Sequence, residues 1–140
     1  MDFTVYDLAF SGLLVVLLTL VGQSFVANIS KSRLPNHIPG KIDPSLGHES
    51  FAYRANRTME NSLENISVFL GSAFLAILIN VDPFWTALTV WVYALARIIH
   101  MILYYLIATE KNPSPRSYFY LLGLFANILL LILIFIKLVD

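Results

Sequence analysis

Cysteine is missing from these 140 residues. Its absence excludes disulfides, thiolate metal sites and a protein thiol nucleophile. Charge is scarce as well: nine Lys and Arg and nine Asp and Glu cancel to a formal net charge of zero. No global field therefore draws the chain to nucleic acid. Glycine and proline number six each, and all six prolines lie between apolar runs, where they punctuate. What fills the chain instead is hydrocarbon. Hydrophobic residues make up 58% of it and the mean hydropathy is +0.74. A soluble domain of this length could not hide that much apolar surface around one core.

Four apolar runs give four expected membrane spans, at about 8–29, 58–80, 84–108 and 116–138, each long enough to cross a bilayer. The first is a retained span and not a signal peptide, because Asp2 and Asp7 precede it where a basic region belongs. The connection at 31–56 carries Pro35, Pro39, Gly40, Pro44 and Gly47 and is the one substantial loop. His37 and His48 within it fit no metal spacing, and both are expected as surface histidines. Spans two and three meet in a tight turn at Asn80-Val81-Asp82-Pro83, and Pro113 and Pro115 break the chain before span four. Short connections make consecutive helices antiparallel neighbours. The expected fold is all-α: one integral-membrane domain over 1–140, a four-transmembrane-helix bundle. Lys31, Arg33, Lys41, Arg54 and Arg57 in the first connection, and Lys111 and Arg116 in the third, place those connections on the cytoplasmic side.

Polar residues interrupt the apolar pattern in register. Arg57, Asn61 and Glu64 recur at i, i+4 and i+7 on the second span, with Glu60 beside them. On the third, Tyr93, Arg97, His100 and Tyr104 form one continuous face. On the fourth, Arg116, Tyr120, Gly123 and Asn127 share a face. Ionisable groups within a span face the bundle interior and need partners, so Arg97 is expected to pair with Glu64 or Glu60. All three faces fall in the cytoplasmic half, and the far half reads as nearly pure Leu, Ile, Val and Phe. One polar site near the cytoplasmic surface accounts for them. Its arginines suit carboxylates, its glutamates an amine, and the bilayer admits an apolar second molecule. A small zwitterion with carboxylates fits. Two other classes use the same residues: a non-enzymatic membrane binding or scaffold protein held by a structural ion network, and a small transporter, which would want polar groups through the full membrane depth.

The motif Arg57-x-x-x-Asn61-x-x-Glu64-Asn65, the run Ala96-Arg97-Ile98-Ile99-His100 with Tyr104, and Pro113-x-Pro115-Arg116-Ser117-x-x-Tyr120 together resemble the membrane-associated proteins in eicosanoid and glutathione metabolism (MAPEG). Within that family the likeness is to the microsomal glutathione transferase and prostaglandin E synthase branch, and the trimmed loops look prokaryotic. The resemblance covers the chain from about Gly22 to its end. It implies a homotrimer of four-helix bundles in the cell membrane, with glutathione bound toward the cytoplasm. It also implies transfer of the glutathione thiolate to lipophilic electrophiles, or reduction of lipid hydroperoxides, met in the bilayer. By matching positions, Arg116 and Ser117 would be catalytic. Arg57, Asn61, Glu64, Arg97, His100, Tyr104 and Tyr120 would bind glutathione, and no metal is implied. Two departures remove positive charge: Ser24-Phe25 follows Gly22-Gln23 where several members carry an arginine, and Glu60 stands where some carry a second arginine.

Overall fold

A computed structural model describes residues 2–35 and 37–140. A short 3-10 turn, Phe3–Tyr6, leads into α1 (Asp7–Ser32). Then follow α2 (Phe51–Leu78), α3 (Pro83–Leu106) and α4 (Pro115–Val139). All four helices are long and apolar enough to cross a membrane, and the described residues form no strand. The expected bundle of four spanning helices is the observed one. α1 packs on α2 and α3, α2 also touches α3 and α4, and the broadest contact is between α3 and α4.

Local chemistry sets the helix ends. Asp82 accepts from the backbone N–H groups of Phe84 and Trp85 at 3.0 and 3.1 Å, and Pro83 opens α3 where a missing N–H costs nothing. Ser114 and Ser117 form a reciprocal capping box on α4, with Pro115 at its first turn. α2 departs from expectation. It starts at Phe51, capped by Ser50, well ahead of residue 58, so the connection shrinks to 33–50. Arg54 is the physical reason. Its guanidinium donates to the carbonyls of His48, Glu49 and Tyr105, which ties the first turn of α2 to the end of α3. The first and third connections therefore lie at the same end of the bundle.

Small residues let the helices approach. Alanines recur on the buried faces (Ala9, Ala55, Ala73, Ala76, Ala94 and Ala96 are all at most 1% exposed), a packing mode suited to lipid, where close backbone contact replaces the hydrophobic drive. Phe69 of α2 stacks on Tyr93 of α3, with centroids 3.7 Å apart. Gly12 of α1 faces Val90. A Cβ there would lie 2.7 Å from Val90 Cγ1 and 3.3 Å from the Trp91 ring, and Val90 is fully buried and cannot yield. Gly12→Ala should therefore destabilise the bundle by about 1–3 kcal/mol, measured as a lowered melting temperature in detergent. A melting temperature equal to that of the unsubstituted protein would show that α1 and α3 are not packed this closely.

The half of the bundle away from the first and third connections is less uniform than its sequence suggests. Ser72 of α2 donates to Asn127 Oδ1 of α4 at 2.6 Å, buried between the helices. Thr86 and Thr89 are also buried, and satisfy their hydroxyls on the carbonyls of Asp82 and Trp85.

Candidate functional site

α3 and α4 meet at the end where the first and third connections gather, and polar side chains from both converge there. Arg116, in the first turn of α4, lays its guanidinium over the face of Tyr104, with Cζ 4.0 Å from the ring centroid. Its Nη2 donates to the Thr109 carbonyl at 2.9 Å and approaches His48 Nε2 at 3.3 Å. Nη1 is buried and has no acceptor among the described residues. Tyr104 Oη lies 3.2 Å from the same His48 Nε2.

His48 is a correction to the sequence reading. It is no surface histidine: its side chain is 18% exposed, it meets the edge of Tyr53 and stacks near Tyr104, and it contacts two expected site residues. Arginine can only donate, so a hydrogen bond from Arg116 requires Nε2 as its acceptor, and Nδ1 on the other side of the ring lies 3.7 Å from Glu110 Oε1. Periodicity could not reveal this, because a loop residue has no helical face to share. The loop is held in place by Arg54, whose bond to the His48 carbonyl fixes the histidine's own backbone.

About two turns deeper, Arg97 of α3 is 5% exposed. Its Nη2 donates to Asn61 Oδ1 at 2.7 Å and to Ser62 Oγ at 3.0 Å, and its Nε has no acceptor. The expected pairing with Glu64 or Glu60 does not form. Arg57 takes both acids on its own helix: Nη1 is 2.7 Å from Glu60 Oε2 and 3.9 Å from Glu64 Oε1. Asn56 holds the other Glu60 oxygen at 2.7 Å. Neighbours on a helix surface meet with little ordering cost, whereas a carboxylate drawn inward to Arg97 would first lose its water. Gly123 of α4 lies against the arginine stem, and a Cβ there would make an ordinary van der Waals contact at 3.7 Å from Arg97 Cδ.

A cavity of about 370 Å³ is lined by Asn61, His100, Arg116, Ser117 and Tyr120, together with Asn112, Pro113 and Leu121. His100 is buried and its Nδ1 has no partner. Tyr120 also borders a second, deeper cavity of about 130 Å³, whose walls include Glu64, Asn65, Arg97 and Asn127. Of the residues expected at the site, Asn61, Arg97, His100, Arg116, Ser117 and Tyr120 line these cavities, and Tyr104 joins them only through the Arg116 guanidinium over its ring. Glu64 reaches only the deeper one. Arg57 stands outside, with Glu60, on a half-exposed face of α2. The Ser117 hydroxyl oxygen accepts from the Ser114 N–H at 3.2 Å, so it serves the helix cap as well as the cavity wall.

The arrangement offers half-buried cationic and amide groups at one end of an apolar bundle, open to a cavity in the range of about 300–1,000 Å³ that small-molecule sites occupy, with the buried Arg97 on the smaller cavity beneath it. A family model described as MAPEG family matches residues 8–136, nearly the whole chain. No curated protein and no solved structure matches it.

Proposed function

The chain belongs to the MAPEG family, whose members include glutathione transferases and peroxidases, and from that premise we propose that this integral, multi-pass membrane protein is a glutathione-dependent transferase or peroxidase. Its active site lies at the end where the first and third connections meet, toward the cytoplasm, and its second substrates are lipophilic electrophiles or lipid hydroperoxides that arrive from the bilayer. The observation that carries the reading is the pair of unmatched cations. Arg97 is buried without a carboxylate within ion-pair distance among the described residues, and the buried Arg116 Nη1 lacks an acceptor. Such groups retain donor capacity for an anionic guest.

The residues fit glutathione. Arg97 and Asn61 would hold a carboxylate of the tripeptide, Glu64 its amine, and His100, Tyr104 and Tyr120 would flank it. Bound glutathione supplies the thiol. Keeping a thiol ionised at a pH about two below its ordinary value of ~8.5 requires roughly 2.7 kcal/mol of preferential thiolate stabilisation. A guanidinium in a partly desolvated site, aided by a hydroxyl donor, supplies that order. Arg116 is the charge stabiliser, and the hydroxyl of Ser117 or of Tyr120 is the helper. Arg57, Glu60 and Glu64 lie on an α2 face left half-exposed by a single chain. A homotrimer would place that face at a subunit interface and bring Arg57 to a neighbouring subunit's glutathione.

The test is a glutathione titration of the purified protein in detergent, followed by thiolate absorbance near neutral pH. A saturable rise is expected. A flat trace at millimolar glutathione would overturn the reading in favour of a membrane scaffold with a structural ion network, which has no reason to ionise a thiol.

A further inference from the structure

Gln23 stands within the apolar length of α1 and is 1% exposed. Its Oε1 is buried and has no hydrogen-bond partner among the described residues. An amide carbonyl in that state is costly, most of all inside a bilayer, where solvent does not reach it. A complementary group is left over on α3. Arg97 Nε is also buried and without an acceptor, so one helix holds a spare acceptor and another a spare donor.

Both residues line the same small cavity between α1, α2 and α3, of about 10 Å³. That is room for a single ordered water, which needs roughly 10–15 Å³ and two to four polar partners. Ser62 of α2 adds a third polar wall, its Oγ 3.0 Å from Arg97 Nη2. Val16, Leu20, Ile66 and Ala94 close the cavity with hydrocarbon, and the Thr19 hydroxyl is taken by the Val15 carbonyl at 2.7 Å. A water placed there accepts from Arg97 Nε and donates to Gln23 Oε1. The bond matters for the guanidinium, which carries N–H groups on Nε, Nη1 and Nη2. Nη2 already serves Asn61 and Ser62. With Nε held as well, the plane of the group is fixed and Nη1 is the edge left for a guest.

We propose that Gln23 is a positioning residue for Arg97: one buried water links Gln23 Oε1 to Arg97 Nε, and α1 thereby sets the pose in which the arginine meets a carboxylate. α1 contributes to the site in this way without supplying a charge. The identity of the carboxylate rests on the glutathione reading above, whereas the water and the arginine pose do not. If Arg97 is removed, the water keeps Gln23 and Ser62.

Crystal structures that resolve ordered water, of the full-length protein and of Gln23→Met without glutathione, test the link. The unsubstituted protein should show one water within hydrogen-bond distance of both Gln23 Oε1 and Arg97 Nε. In Gln23→Met, which keeps the length of the side chain and loses the amide, the guanidinium should turn away from Asn61 and Ser62. No water in the cavity, a direct contact between Gln23 and Arg97, or an unchanged arginine pose in Gln23→Met would overturn the proposal. Calorimetry and kinetics test the consequence. Gln23→Met should weaken glutathione binding by about fivefold and leave turnover at saturation within about twofold. A lowered melting temperature with affinity unchanged would make Gln23 a structural amide and overturn its positioning role. If the unsubstituted protein binds no glutathione, the glutathione reading fails, and the two crystal structures still decide the role of Gln23. Should Gln23→Met fail to fold, Gln23→Glu decides. Its carboxylate accepts as the amide did but supplies Arg97 with an internal counter-ion, so the arginine pose should hold while glutathione affinity falls by about tenfold. A displaced guanidinium or an unchanged affinity in that variant would overturn the proposal.

Discussion

Arg116→Ala lowers glutathione-dependent turnover by about a hundredfold or more, while glutathione affinity falls by less than about tenfold. That is the expected outcome if the guanidinium acts where charge develops. Loss of a single preorganised donor at a developing anion typically costs about 10²–10³ in kcat, whereas Asn61, Arg97 and Glu64 remain to bind the tripeptide. Arg116 is not needed to hold the fold. Its two oxygen and nitrogen partners, the Thr109 carbonyl and His48 Nε2, belong to the third and first connections and can turn to water, so the melting temperature should change little. Arg116→Lys keeps the charge but loses the planar fork that reaches Thr109 and stacks on Tyr104, and should recover only part of the rate. His48→Ala is the graded companion. It removes one contact to Arg116 and leaves two, so its effect on turnover should be smaller than that of Arg116→Ala. Kinetics and a separate Kd measurement decide the matter. An equal loss of rate and affinity in Arg116→Ala would reduce the arginine to a binding group and leave the thiolate without its stabiliser.

The spans were legible because a bilayer-crossing helix must be long and apolar, a requirement written directly into residue order. The polar faces were legible for the same reason. Arg97 and His100 of α3, and Arg116 and Tyr120 of α4, share helical faces at fixed intervals, and the structure does bring them to one end of the bundle. Hidden from the sequence was the choice of partner. Glu60 and Glu64 could have reached inward to Arg97 or sideways to Arg57. Local geometry and lower desolvation favour the sideways pair, and residue spacing alone does not weigh those costs. His48 was hidden for a different reason. Its position depends on Arg54 binding three carbonyls from two separate segments, a contact set by the fold and not by any repeat. The early start of α2 follows from the same clamp. The double use of Ser117 was readable in principle, since Ser114-Pro115-Arg116-Ser117 is a helix-start pattern, and a capping serine at the mouth of a site serves both duties.

Arg97→Leu should separate stability from binding, in opposite directions. In the free protein Arg97 is a buried cation whose acceptors are an amide and a hydroxyl, with Nε unsatisfied. Neutral acceptors compensate a charge poorly, and replacing buried ionic groups by apolar residues of similar volume is often neutral or stabilising by about 1–4 kcal/mol. Leucine also suits its surroundings, with Ala96, Tyr93 and Gly123 as neighbours. The groups left behind are not stranded. Asn61 borders the 370 Å³ cavity and can meet water there, and the Ser62 hydroxyl can turn to the carbonyl one helical turn back, as Thr58 does on the same helix. The melting temperature of ligand-free Arg97→Leu should therefore equal or exceed that of the unsubstituted protein. Binding should move the other way. A carboxylate guest is the counter-ion the buried arginine lacks, and a charge-assisted contact of this kind is worth about 1.5–3 kcal/mol, so glutathione affinity should fall by roughly 10–100-fold. The stabilisation that saturating glutathione confers on the unsubstituted protein should vanish with it. Thermal scans with and without glutathione measure both effects at once. A variant that melts well below the unsubstituted protein but still gains stability from glutathione would mean that Arg97 is a structural cation, satisfied by Asn61 and Ser62, with no guest to receive.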